Sequence, residues 1–122
     1  MRKLDNIVIK NEDTGDNLFL DNNKKNDPAC TLNLIKLVLN NPLDGMREDG
    51  TGQPHHYTVE EMDTALKIMD KVKGAIKSGH GMADSVKSFE LEDAEVDFVA
   101  KFVKNYKPLY TGLAWAKFIK QF

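Results

Sequence analysis

Three histidines, one cysteine and two clusters of acids are the side chains of this 122-residue chain most able to do chemistry. His55 and His56 are neighbours, and adjacent side chains rarely converge on one metal ion. His80 lies beyond a whole helical pattern. Neither HExxH nor CxxC occurs, and one cysteine cannot build the usual structural zinc site. Cys30 opens the apolar run CTLNLIKLVL with no base beside it, so it reads as a small buried hydrophobe and not as a reactive thiol. The acids gather at Glu60, Glu61 and Asp63, and again at Glu92, Asp93, Glu95 and Asp97. Both groups stand at the starts of helical patterns, where capping and the helix dipole account for them. Asp13 and Asp16 sit in NEDTGD, which lacks the alternating ligands and closing Glu of an EF-hand and reads as a turn. GxSxG, Walker and GxGxxG patterns are absent, and GTG at 50–52 and GHG at 79–81 are too short to mark a phosphate site. The expectation is a protein that is not an enzyme, with no catalytic residue, no metal ligand and no cofactor.

The bulk composition narrows the class further. A chain of this length is expected to be one domain, 1–122, with a core of its own. A hydrophobic content of 41% and a charged content of 30% fit a soluble globular protein. The net charge is −2, but it is unevenly placed: residues 62–122 hold ten Lys+Arg against eight Asp+Glu, and no side-chain acid follows Asp97. No apolar run approaches the roughly 18 residues that span a bilayer, and the N-terminus has no signal-peptide pattern. A lone cysteine suits a reducing cytosol. The expected location is cytoplasm, or a particle assembled there, with no membrane partner.

The elements that must position any site read as α+β. NIVIKNEDTGDNLFLDN predicts a β-hairpin over 5–21. DPACTLNLIKLVLNNP predicts a helix near 28–40, capped by Asp27 with Pro28 following, or by Thr31 in a shorter version. Its apolar residues run round most of its surface, which makes it the most buried helix. LDGMREDGTGQPHH reads as the longest irregular stretch and so as the flexible or functional loop. Thr58 and Glu61 form a capping box that starts a helix over 58–78, with Tyr57 and Met62 at the hydrophobic-staple positions. Met62, Ala65, Leu66, Met69, Val72 and Ile76 follow its core spacing. SFEL at 88–91 predicts a short third strand for the hairpin. Helices near 92–106 and 108–121 complete a bundle of about four. Val96, Val99, Val103 and Tyr106 mark the main stripe of the first, with Phe98 and Phe102 beside it. Gly112 falls inside the second, at a cost of about 1 kcal/mol against Ala, which suggests close backbone approach.

The last helix poses a choice. Lys101, Lys104, Lys107, Lys117 and Lys120 could form a basic rim for nucleic acid, but a single-strand surface needs aromatics and cations on one exposed face. Here Lys117 and Lys120 flank Phe118 and Ile119, the pattern of a packed amphipathic helix. Trp115, Phe118 and Phe122 make a second apolar stripe, more than one neighbour needs, and so mark a candidate interface between copies.

The order of these pieces resembles a group of small accessory proteins of tailed bacteriophages. The matching positions are Leu91, Glu95, Tyr106, Pro108, Leu109, Gly112, Ala114 and Phe118, within a Tyr-x-Pro-Leu…Gly-x-Ala pattern. The resemblance implies a phage origin, a host-cytoplasm or virion location and a non-enzymatic role; it supplies no site residues. The expected function is protein–protein binding, in virion assembly or against a host or defence factor. Asp13, Asp16, Asp44, Arg47, Glu48, Asp49, His55 and His56 are its candidate contacts. The alternatives are a nucleic-acid-binding regulator using the five lysines, and a homo-oligomeric structural component.

Overall fold

The computed structural model describes residues 1–19, 28–107 and 112–122. The described residues form an α+β fold with two small antiparallel sheets and four α-helices. In chain order these are β1 (Arg2–Asp5), α1 (Thr31–Asn40), β2 (Leu43–Met46), β3 (Gly52–Pro54), α2 (Val59–Ser78), β4 (Ser88–Leu91), α3 (Asp93–Val103) and α4 (Leu113–Lys120). One sheet pairs β1 with β4, and the other pairs β2 with β3.

The α1 helix is the hub, packing on both α2 and α3. Its residues Thr31 to Ile35, with Val38 and Leu39, are buried, as an apolar surface on most sides requires. Its N-cap is Cys30, whose side chain makes no capping bond. Thr31 is the first helical residue and turns its hydroxyl elsewhere: it donates to Asp5 O at 3.0 Å and accepts from Ile7 N at 2.9 Å. The N-terminal N–H groups of α1 therefore need help from outside the helix. Asn6 provides it, accepting from Leu32 N at 3.2 Å while its amide donates to Ala83 O and Val86 O, each at 2.7 Å. One buried side chain thus ties the end of β1, the start of α1 and the 83–86 turn together. The expected cap at Asp27 lies outside the described residues.

The strand at 88–91 forms, but its partner differs from expectation. It pairs with β1, placing Leu4 opposite Phe89 on the buried side and Lys3 opposite Glu90 on the exposed side. The expected hairpin over 5–21 is reduced to isolated bridges. Lys10 faces Asn17 across the 11–16 turn, while Val8 faces Cys30 and Phe19 faces Pro28. The arms keep the bonds Leu18 N to Ile9 O and Asn11 N to Asp16 O, but the segment entering α1 competes for the rest. Ile9 N donates to Ala29 O, and Ala29 N to Leu18 O.

In α2 the Thr58–Glu61 capping box forms as expected, but the buried face is Ala65, Ile68 and Val72. Met62 and Leu66, expected in the core, are more than half exposed. Tyr57 stacks on Phe98 and meets Phe102 edge-on. The α3 helix buries Val96, Val99, Phe102 and Val103, and Lys71 from α2 reaches its Glu95 at 2.5 Å. Tyr106 lies past the end of α3, donating its hydroxyl to Asn41 O.

The final helix corrects the reading of Gly112, which is its N-cap and not an interior residue. It adopts φ +113°, a conformation that favours glycine, and a Cβ there would collide with the Glu12 carboxylate. Trp115 and Phe118 pack inward, and Gln121 brackets the backbone of Asp5, accepting from its N–H at 2.6 Å and donating to its carbonyl at 3.0 Å. This side-chain amide covers part of the β1 edge. The segment 108–111, including the Pro108 and Leu109 of the phage-like pattern, lies outside the described residues.

Candidate functional site

The stretch 43–54, expected to be irregular, is a β-hairpin. Leu43 faces Pro54, Gly45 faces Gln53 and Met46 faces Gly52, with a register shift between Leu43 and Gly45. Asp44 is therefore the extra residue of a bulge, and the Gly45 that follows takes φ +141°. At the tip, Gly50 N donates to Arg47 O, and Asp49 Oδ1 accepts from both Thr51 N at 3.0 Å and Thr51 Oγ1 at 2.7 Å. These bonds, with the Thr51 hydroxyl foremost, hold the Asp49 carboxyl below its usual range. Residues 46–51 are all exposed.

The hairpin's base is anchored from three sides. Asn105, just past α3, donates to Leu43 O at 2.7 Å. The His55 N–H donates to Pro42 O at 2.9 Å. The His55 ring sits between two carboxylates, with Nδ1 at 2.6 Å from Asp44 Oδ1 and Nε2 at 3.2 Å from both oxygens of Glu61. Glu61 is the capping-box residue of α2, and its Oε1 accepts from Thr58 N at 3.0 Å. Lys101 on α3 stands 3.7 Å from Glu61 Oε2. The ring rests against Phe102, centroids 4.9 Å apart, and edge-on to Tyr57 at 5.6 Å. Its side chain is only 16% exposed. Burial alone lowers the His55 pKa, but hydrogen bonds and charge from Asp44 and Glu61 outweigh it, and the net direction is upward. Tyr57 is pushed up to about 12, chiefly by burial.

This arrangement decides what His55 can do chemically. Both ring nitrogens face carboxylates, so the charged ring can donate to Asp44 and Glu61 together. The group is built to join elements.

The structure brings some of the expected contact residues together and separates others. Asp44 and His55 are paired at the hairpin base, Arg47, Glu48 and Asp49 share its tip, and His56 is exposed next to it. Asp13 and Asp16 belong to the 11–16 turn, where Asn11 Oδ1 accepts from Asp13 N and Thr14 Oγ1 from Asp16 N. That turn lies beside Gly112. All five lysines are exposed, and Lys101 also pairs with Glu61 and lies 5.4 Å from the Phe102 ring centroid. Trp115 and Phe118 are 8% and 0% exposed inside the chain's own core, with ring centroids 5.3 Å apart. Those two rings thus lie within the chain's own core, and Phe122, half-buried, packs on Phe118. Glu61 and Lys101, as parts of the His55 cluster, were missed as contact-site residues. Glu61 was legible only as a cap, and no sequence spacing links it to Asp44.

Cys30 is buried, and burial pushes its thiol pKa up. Among the described residues, no group of three or more His, Cys, Asp and Glu is placed to hold a metal ion, and no helix is long and apolar enough to cross a membrane. The chain matches no protein-family model, no curated protein and no solved structure.

Proposed function

We propose that this chain is a non-enzymatic binding protein that engages another protein through the β2–β3 hairpin. The observation that carries the reading is the contrast within that hairpin. Its base is fixed by Asn105, by the His55 backbone and by the Asp44–His55–Glu61 cluster, while its tip presents Arg47, Glu48 and Asp49 to solvent. A pre-formed, charged and exposed turn loses little conformational freedom on binding, and charges of both signs give it electrostatic selectivity. In line with the phage-like pattern in the sequence, the setting is the cytoplasm of an infected bacterium or a virion assembled there. The role is that of an accessory factor in assembly or against a host or defence protein.

A photo-crosslinking residue placed at Glu48 tests this. Expressed in a bacterial host with and without tailed-phage infection, it should capture one defined protein, and the same residue placed at Lys73 on the exposed side of α2 should not. Loss of that capture in a folded Arg47→Ala/Asp49→Ala variant would support the hairpin as the contact. Equal capture from both positions would remove it. A nucleic-acid role is less favoured, because buried Trp115 and Phe118 cannot stack on bases and Lys101 is already paired.

A further inference from the structure

His55 is held by more carboxylate than a neutral imidazole can satisfy. A neutral ring carries one N–H, so it can donate to Asp44 or to Glu61 but not to both; only the imidazolium donates to each. We propose that His55 is a proton-operated latch, which when charged clamps the base of the β2–β3 hairpin to the first turn of α2 and when neutral releases the Glu61 arm. The inference deepens the binding reading above and rests on it for its consequence, since the latch sets how the contact hairpin is presented.

The groups facing the ring come from every element around it. The β2 bulge supplies Asp44, α2 supplies Glu61, and the segment before α2 supplies Tyr57. The α3 helix supplies the uncharged Phe102 ring and, through Glu61, the Lys101 ammonium. Tyr57, its phenol pushed up to about 12, adds no charge near neutrality. When the proton leaves, the shorter bond to Asp44 persists and the Nε2 lone pair faces the Glu61 carboxylate. Glu61 is restrained by Thr58 N and by Lys101, so the histidine side gives way. The backbone bond from His55 to Pro42 and the Asn105 bond to Leu43 keep the hairpin attached while it reorients.

The direction with pH follows from the two shifts. For His55, burial lowers the pKa but the carboxylates raise it more, so the charged clamp is complete below the ordinary imidazole value of about 6.5. It is lost as pH rises through the higher folded value. For Glu61, the Thr58 N–H is the leading cause of a lowered pKa, opposed by burial and aided by His55 and Lys101. Its contribution is present above the ordinary carboxylate range and fades as pH falls through the lowered folded value. The latch is closed between these limits.

An NMR titration of the full chain from about pH 5 to 9, following the His55 ring and the backbone amides, measures this on the free protein. The His55 midpoint is expected above about 6.5, with the amides of 43–55 and 58–61 moving on the same curve. Glu61→Gln keeps the capping acceptor but removes the charge. It should lower the His55 midpoint and carry the hairpin amides with it, and His55→Gln should abolish their shared transition. A His55 midpoint at or below the ordinary value would overturn the latch. Hairpin amides that stay still through the His55 transition would do the same. Failure of the crosslinking experiment would remove the binding reading and leave this titration unaffected.

Discussion

Asn6→Ala should be among the most damaging substitutions of a polar residue in the chain. Asn6 is 8% exposed, and its side chain makes three hydrogen bonds: to Ala83 O and Val86 O, each at 2.7 Å, and from Leu32 N at 3.2 Å. A typical hydrogen bond contributes about 1 kcal/mol net, and a buried group left without a partner costs about 1–3 kcal/mol. Leu32 is fully buried and its N–H belongs to the first turn of α1, where no intrahelical acceptor exists. Losing three bonds and leaving that donor unpaired should cost about 3 kcal/mol. For a domain of this size, that lowers Tm by about 10–15 °C. Urea denaturation of the full chain, followed by circular dichroism at 222 nm, measures it. Asn6→Asp sharpens the test: it keeps the acceptor for Leu32 N but turns a carboxylate oxygen toward two carbonyls. It should cost at least as much near neutral pH and recover partly in acid, where the protonated acid can donate again. Asn41→Ala, which removes an exposed bond to Leu37 O, should stay within about 0.5 kcal/mol of the parent. An Asn6→Ala loss under about 1 kcal/mol with an unchanged m-value would refute the idea that this amide joins β1, α1 and the 83–86 turn.

Phe102→Ala removes a fully buried ring that touches His55, Tyr57 and Phe98, and should cost about 3–5 kcal/mol in the same denaturation assay. Thr58→Ala should destabilise by about 1 kcal/mol, with amide exchange rising in the first turn of α2 and unchanged in α3. Cys30 should resist a thiol reagent such as 5,5′-dithiobis(2-nitrobenzoate) in the folded protein and react fully in denaturant, since burial both shields the sulfur and raises its pKa. Rapid labelling of the native chain would contradict the burial of Cys30 at the start of α1.

The sequence was most legible where structure is local. The capping box at Thr58 and Glu61 uses residues three apart, and it forms as read. The helix at 93–103 starts among acids and buries the valines its spacing selects. Periodicity could not choose the buried side of α2, because Met62 and Leu66 form one apolar row and Ala65, Ile68 and Val72 another, with half-buried Met69 between them. The positions of α1, β4 and the 83–85 turn pick the second. Strand partners failed for the same reason. The segment at 88–91 has strand character by itself, but its partner is Arg2–Asp5, far away in sequence, and no short window contains both.

The candidate site was half legible for a related reason. Its residues fall in the loop that composition singled out, yet the glycines and mixed charges concealed a hairpin. The Asp49-Gly50 dipeptide is a turn signal for one, but the flanking LDGM and TGQP lack the alternation that would have completed it. That alternation is broken by the bulge at Asp44, the feature that matters most to the site. An extra residue in one strand re-aims a side chain, and here it sets Asp44 2.6 Å from His55. The irregularity that hides the strand from a pattern reading is therefore the same one that assembles the clamp. Deleting Gly45, which takes the bulge's φ of +141°, should restore a regular ladder, separate Asp44 from His55 and lower the His55 midpoint. If the His55 midpoint in that variant stayed where it is in the parent, Glu61 alone would be sufficient, and the bulge would have no part in setting the charge of the ring.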